Sequence, residues 1–119
     1  MADPVSIEFL YEPDCSSTEV ALARLRETCR EEAHAGGIAM VEVTSDEQAA
    51  ALRFPGSPTI RIDGRDIDTS GDGSERFALV CRAYRLPDGR ITPFPPKELI
   101  RTALRDATRR RSVSLSAGR

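Results

Sequence analysis

Val5-Ser6-Ile7-Glu8-Phe9-Leu10-Tyr11, followed by Glu12-Pro13-Asp14-Cys15-Ser16-Ser17-Thr18-Glu19, decides how the rest of the chain is read. The first seven residues alternate and then turn wholly apolar, as a β-strand does when it enters a core. Glu12-Pro13-Asp14 stops that strand. Ser16, with Glu19 three residues later, has the spacing of a capping box and predicts a helix running to about Ala33. Its apolar positions Ala21, Leu22, Leu25 and Cys29 share one face, and Gly36-Gly37 is expected to end it.

Working outward, Ile38 to Val43 predicts a second strand, parallel to the first because a helix joins them. Ser45 and Gln48 repeat the capping box for a short helix, Asp46 to Arg53. A turn at Phe54-Pro55-Gly56-Ser57-Pro58 leads into a hairpin. Its strands are Thr59 to Ile62 and Arg65 to Asp68, joined by Asp63-Gly64, a strong short-range hairpin signal. Residues 69 to 75 read as a loop rich in Gly, Asp and Ser. Phe77 to Arg85 fits a strand or a short helix equally well. After a turn at Leu86 to Arg90, Pro95-Pro96 opens a last amphipathic helix with Leu99, Ile100, Ala103, Leu104 and Ala107 on its buried side. The fold class predicted is α/β.

At 119 residues the chain has room for one domain, expected over residues 1–108, with a basic, disordered tail at 109–119. The hydrophobic fraction of 39% excludes disorder throughout, and aromatics at 5% leave the core to Leu, Val, Ile and Ala. No apolar run approaches a membrane span, and Met-Ala-Asp-Pro opens no secretory signal, so no membrane partner and a cytoplasmic location are expected. The net charge of -2 hides an asymmetry: residues 109–119 hold four arginines and no acid, leaving the body at -6. An acidic body argues against tracking a phosphate backbone, so no nucleic-acid partner is expected.

Cys15, Cys29 and Cys81 are an odd count, unsuited to a disulfide framework, and no two form a zinc-type pair. Cys29 lies on the apolar face of the first helix and reads as core. Cys15, just before a helix start, sits where unpaired N–H groups and the positive dipole end favour thiolate, the nucleophilic form. Glu12 and Asp14 oppose it by charge repulsion. The lone His34 reads as a residue at a helix C-terminus rather than a base.

The element order, a cysteine between the first strand and first helix, and Ser57-Pro58-Thr59 opening the third strand together resemble the thioredoxin fold over residues 4–108. Ile7-Glu8-Phe9-Leu10-Tyr11 and Gly56-Ser57-Pro58-Thr59-Ile60 are most similar to small bacterial thioredoxin-like proteins. The resemblance implies a βαβ-ββα core, and a cis Pro58 facing Cys15. A cis proline is expected to leave the Ser57 and Thr59 backbone groups free to pair with an extended peptide or a thiol adduct.

The chain departs from the family's C-x-x-C. It has Cys15-Ser16-Ser17-Thr18, so Thr18 stands where the second cysteine would resolve a mixed disulfide. A hydroxyl there supports a thiolate but completes no dithiol exchange. Cys81 is the candidate to supply the missing thiol, if the loop after the hairpin folds over Cys15; as part of a buried strand it would be a small hydrophobe. The leading expectation is a thiol protein in which Cys15 attacks a disulfide, with Thr18, Pro58 and Cys81 in support. It needs no cofactor, and its partners would be protein disulfides or low-molecular-weight thiols. Two alternatives stand beside it: a non-catalytic thioredoxin-fold binding domain, and a soft-metal protein of mercury-handling type.

Overall fold

The computed structural model describes residues 5–68, 77–80 and 82–117, with side chains to Ser112. Its order is β1 (Ile7–Tyr11), α1 (Thr18–Glu31), β2 (Ile38–Glu42), α2 (Asp46–Leu52), β3 (Thr59–Ile62), β4 (Arg65–Asp66), β5 (Tyr84–Arg85), β6 (Ile91–Thr92) and α3 (Lys97–Ala117). This is an α/β fold with a mixed sheet ordered β2-β1-β3-β4. β1 runs parallel to β2 and antiparallel to β3, and β5 with β6 forms a separate two-stranded sheet.

Alternation along β1 sends its side chains to two cores. Ile7 and Phe9 join Ile60 and Ile62 of β3 beneath α1 and α3, packed on Ala21, Leu25, Cys29, Ile100, Leu104 and Ala107. Leu10 points to the other face, where α2 covers it with Ala49, alongside Val43 and Phe54. Along the α1–α3 seam, Lys97, Arg101 and Arg105 come one turn apart on α3. They pair with Glu27 and Glu31, with Glu31 and Glu32, and with Glu32 in turn. Exposed pairs of this kind are worth under about 1 kcal/mol each, so the seam sets alignment more than stability.

Several boundaries differ from expectation for identifiable reasons. α1 starts one residue late: its N-cap is Ser17, whose side chain makes no capping bond. Cys15 N–H bonds Glu12 O at 3.0 Å and Thr18 N–H bonds Cys15 O at 3.3 Å, so two successive turns take the residues a Ser16 cap would need. α1 also ends before Gly36-Gly37. Ala33 adopts φ +54°, with His34 N–H on Cys29 O and Ala33 N–H on Arg30 O, a Schellman closure with alanine where glycine is usual. Arg53 ends α2 in the same way, at φ +54°. At the other end of α2 the Ser45 hydroxyl caps Gln48 N–H at 3.0 Å as predicted, while Gln48 Oε1 reaches Thr44 N–H instead of Ser45.

The Asp63-Gly64 turn forms with both residues at positive φ, +52° and +79°, as a type I′ hairpin requires. β4 is shorter than expected, although Ile67 N–H still bonds Ile60 O. Among the described residues of the ambiguous 77–85 stretch, only Tyr84–Arg85 is strand. α3 does not stop near 108, where the domain was expected to give way to a tail; it runs to Ala117. No Gly or Pro interrupts the sequence from Lys97 to Ala117, and Arg111 is clamped from the side by Asp63 at 2.7 and 2.8 Å. Among the described residues no helix is long and apolar enough to cross a membrane.

Candidate functional site

The antiparallel register of β1 and β3 sets Leu10 opposite Thr59. The loop leaving β1, residues 12–17, is thereby brought against the loop entering β3, residues 54–58. Glu12 N–H donates to Ser57 Oγ at 2.9 Å, fastening one loop to the other. The Cys15 thiol lies 3.7 Å from Ser57 O and donates to it. Ser57 is 2% exposed, and the Ser57–Pro58 peptide is cis, as expected. Cys15 and the residue before Pro58 therefore meet.

The thiol is half-buried. Burial by itself pushes its pKa up, but the Ser57 side chain, the Ser17 backbone and the Thr18 and Ser17 hydroxyls pull harder in the other direction, and the net pKa lies below the ordinary thiol value. Thr18 Oγ1 is buried without a hydrogen-bond partner of its own. A thiolate at Cys15 would offer that hydroxyl an acceptor, offsetting the loss of the thiol's donation to Ser57 O. The Glu12 carboxylate turns back on its own loop, accepting from Asp14 N–H at 3.1 Å, while Asp14 is exposed.

The expectation that the Ser57 backbone would be free is not met. Its N–H donates to Val80 O at 2.8 Å and its carbonyl accepts from Arg82 N–H at 2.9 Å. Residues 77–80 and 82 lie along this loop like an added strand. Ala78 N–H reaches Phe54 O at 3.2 Å, and Leu79 N–H reaches the Asp46 carboxylate at 3.0 Å. Gly56, at φ +149°, is required by the closeness of this docking: a Cβ there would stand 3.1 Å from Arg82 Cα. Thr59 is likewise engaged, through its backbone in the β1–β3 ladder and through its hydroxyl, which donates to Gly56 O at 2.6 Å.

Two residues the sequence reading passed over hold this loop from behind. The Arg82 guanidinium donates to Thr59 Oγ1 at 3.2 Å, pairs with Asp66 at 2.8 Å and stacks over the Tyr84 ring. The buried Tyr84 hydroxyl donates to Pro58 O at 2.7 Å, and burial pushes its own pKa far up. Their i, i+2 spacing, which in extended chain sets two side chains on one face, was the available signal, hidden by the undecided reading of 77–85.

Of the site residues predicted, Cys15, Thr18 and Pro58 are brought into one loop cluster. Cys81 lies outside the described residues. Cys29 is buried in the main core, and desolvation pushes its thiol up. Among the described residues no group of three or more His, Cys, Asp or Glu side chains is gathered for a metal. Comparison with models of protein families, with characterised proteins and with solved structures finds no match to the chain.

Proposed function

We propose that the protein is a thioredoxin-like thiol protein that carries out thiol–disulfide exchange with Cys15 as its nucleophile. The observation that carries the reading is the Cys15 thiol, lowered in pKa, seated 3.7 Å from the carbonyl of the residue that precedes cis Pro58. The strand order β2-β1-β3-β4, with α1 and α3 on one face and α2 on the other, supports the fold assignment. In the reaction the Cys15 thiolate attacks one sulfur of a disulfide. A bond forms to Cys15 Sγ, the old S–S bond breaks, and the departing thiolate takes a proton from water. The mixed disulfide is then resolved by a second thiol. Cys81 attacks Cys15 Sγ, releasing the substrate thiol and leaving a Cys15–Cys81 disulfide, or a low-molecular-weight thiol attacks the substrate sulfur, freeing Cys15 and leaving in a disulfide with the substrate. Thr18 stabilises the thiolate and Pro58 shapes the pocket; Arg82 and Tyr84 position the Pro58 loop.

The pH dependence of alkylation, mapped cysteine by cysteine by mass spectrometry on the reduced folded protein, tests this. Cys15 is expected to alkylate with a midpoint below the ordinary value of about 8.5, while Cys29 stays protected. Mild oxidation is expected to link Cys15 to Cys81. A Cys15 that titrates at or above the ordinary value, with no link formed, would refute the exchange reading. The alternative, a binding domain that does no chemistry, is favoured by one feature, the hydroxyl of Thr18 in place of a second thiol.

A further inference from the structure

We infer that Cys15 acts on small substrates rather than on extended polypeptides, because residues 77–80 and 82 of the same chain already fill the backbone edge beside the thiol. The inference rests on the nucleophilic reading of Cys15 and adds the class of substrate.

An extended peptide reaches a nucleophile on a sheet by pairing its backbone with an exposed edge next to it. The edge next to Cys15 Sγ is Ser57, whose carbonyl is the thiol's own hydrogen-bond acceptor. Both backbone groups of Ser57 are bonded to Val80 and Arg82. The segment is held at further points, by Leu79 on Asp46 and Ala78 on Phe54, and it is fitted closely enough over Gly56 that a methyl group there would stand 3.1 Å from Arg82 Cα and push the segment outward. A tethered segment competes at an effective concentration in the millimolar range. A free peptide at roughly ten micromolar, making the same two bonds, would displace it in about one molecule in a hundred. A small disulfide needs neither backbone group of Ser57; it needs only access to the half-buried sulfur. The exchange is the one already written: the small disulfide is the oxidant that forms the mixed disulfide on Cys15, and a low-molecular-weight thiol is the reductant that releases it.

The test uses two neutral probes with the same leaving group: 2-hydroxyethyl 2-pyridyl disulfide, and a neutral seven-residue peptide whose central cysteine is joined to pyridine-2-thiol. Release of pyridine-2-thione gives the rate, and mass spectrometry confirms the adduct at Cys15. Each rate is divided by that probe's rate with glutathione, to remove intrinsic reactivity. The full chain is expected to favour the small probe by about tenfold or more. In Gly56→Ala, or in Asp46→Ala where Leu79 loses its partner, that preference is expected to fall toward one while circular dichroism stays native. Equal normalised rates in the unaltered protein would overturn the substrate class while leaving the thiol chemistry standing. A preference that persists in both folded variants would overturn the role given to this segment. Failure of Cys15 to react with either probe would overturn the nucleophilic reading itself, and the inference with it.

Discussion

Asp63 joins three parts of the fold, and replacing it with asparagine measures what its charge contributes. Its carboxylate accepts from Ser6 N–H at 2.9 Å and from the Arg111 guanidinium at 2.7 and 2.8 Å, linking the hairpin tip to the start of β1 and to the far end of α3. Asp63→Asn keeps the turn, because Asn-Gly suits a type I′ hairpin at least as well as Asp-Gly, and keeps an oxygen for Ser6. What disappears is the negative charge facing Arg111.

The Arg111 guanidinium, set against a partial desolvation cost and helped by Ser6, holds the Asp63 carboxyl at about 2, down from 3.8. At about 1.36 kcal/mol for each pH unit, such a depression corresponds to about 2.5 kcal/mol. Asp63 is 23% and Arg111 35% exposed, so solvent screening brings the expected figure to about 1–2 kcal/mol. The folded carboxyl lies below its unfolded value, so the unfolded chain binds more protons as pH falls. The contribution is complete above about pH 5, about half gone by pH 3, and lost once pH falls through about 2. Urea unfolding followed by circular dichroism, at pH 7 and pH 3 on both proteins, should show a gap of that size at pH 7 and about half of it at pH 3. A gap under about 0.3 kcal/mol at pH 7, or one that does not narrow at pH 3, would show that Asp63 acts through the turn and not through Arg111.

Removing the buried Thr18 hydroxyl with Thr18→Val should move the alkylation midpoint of Cys15 to higher pH and leave Cys29 unchanged; an unmoved midpoint would deny Thr18 its part in holding the thiolate. Ala33→Gly relieves a left-handed alanine at the end of α1 and should raise stability by about 0.5–1 kcal/mol in a thermal melt, since the strain removed slightly exceeds the chain entropy added. Tyr84→Phe strips the donor from Pro58 O in a buried setting and should cost about 1–2 kcal/mol in urea unfolding; a neutral result would mean that water replaces the hydroxyl.

The α/β order was legible because each early element carries its own punctuation. Alternation in 5–11 and 38–43, the Ser45 cap, and Asp63-Gly64 are local signals that work without knowledge of tertiary contacts. Misplaced boundaries were those decided by backbone bonds or by distant partners. Ala33 and Arg53 take the left-handed position because the backbone bonds of a Schellman closure hold them there, and nothing in those side chains announces it. Four arginines and no acid at the end of α3 suggest a solvated tail, whereas Arg111 meets an acid 48 positions earlier in the chain. The docking of 77–80 and 82 on Ser57 was beyond reach for the same reason. It involves backbone groups, which carry no residue identity, and its one local trace is a glycine at 56 in a turn where glycine is ordinary anyway.

The position of the thiol follows from the same burial that makes the sheet. Cys15 meets Ser57 because Leu10 pairs with Thr59, and that pairing belongs to a register in which Ile7 faces Ile62 and Phe9 faces Ile60. Side chains alternate with a period of two, so a slip of one residue would turn Phe9 away from α1 and α3 and offer Glu8 to that core. Phe9 and Ile60 are both fully buried, and exposing either would cost about 1.5–3 kcal/mol before the burial of a carboxylate is counted. The loop at 12–17 and the loop at 54–58 are thus brought together by apolar residues that contribute nothing to the chemistry. Conservative changes at those four positions, such as Ile62→Val, should lower stability while leaving the Cys15 alkylation midpoint where it is. A midpoint that shifts in step with stability would mean that the thiol environment depends on finer packing than the register alone.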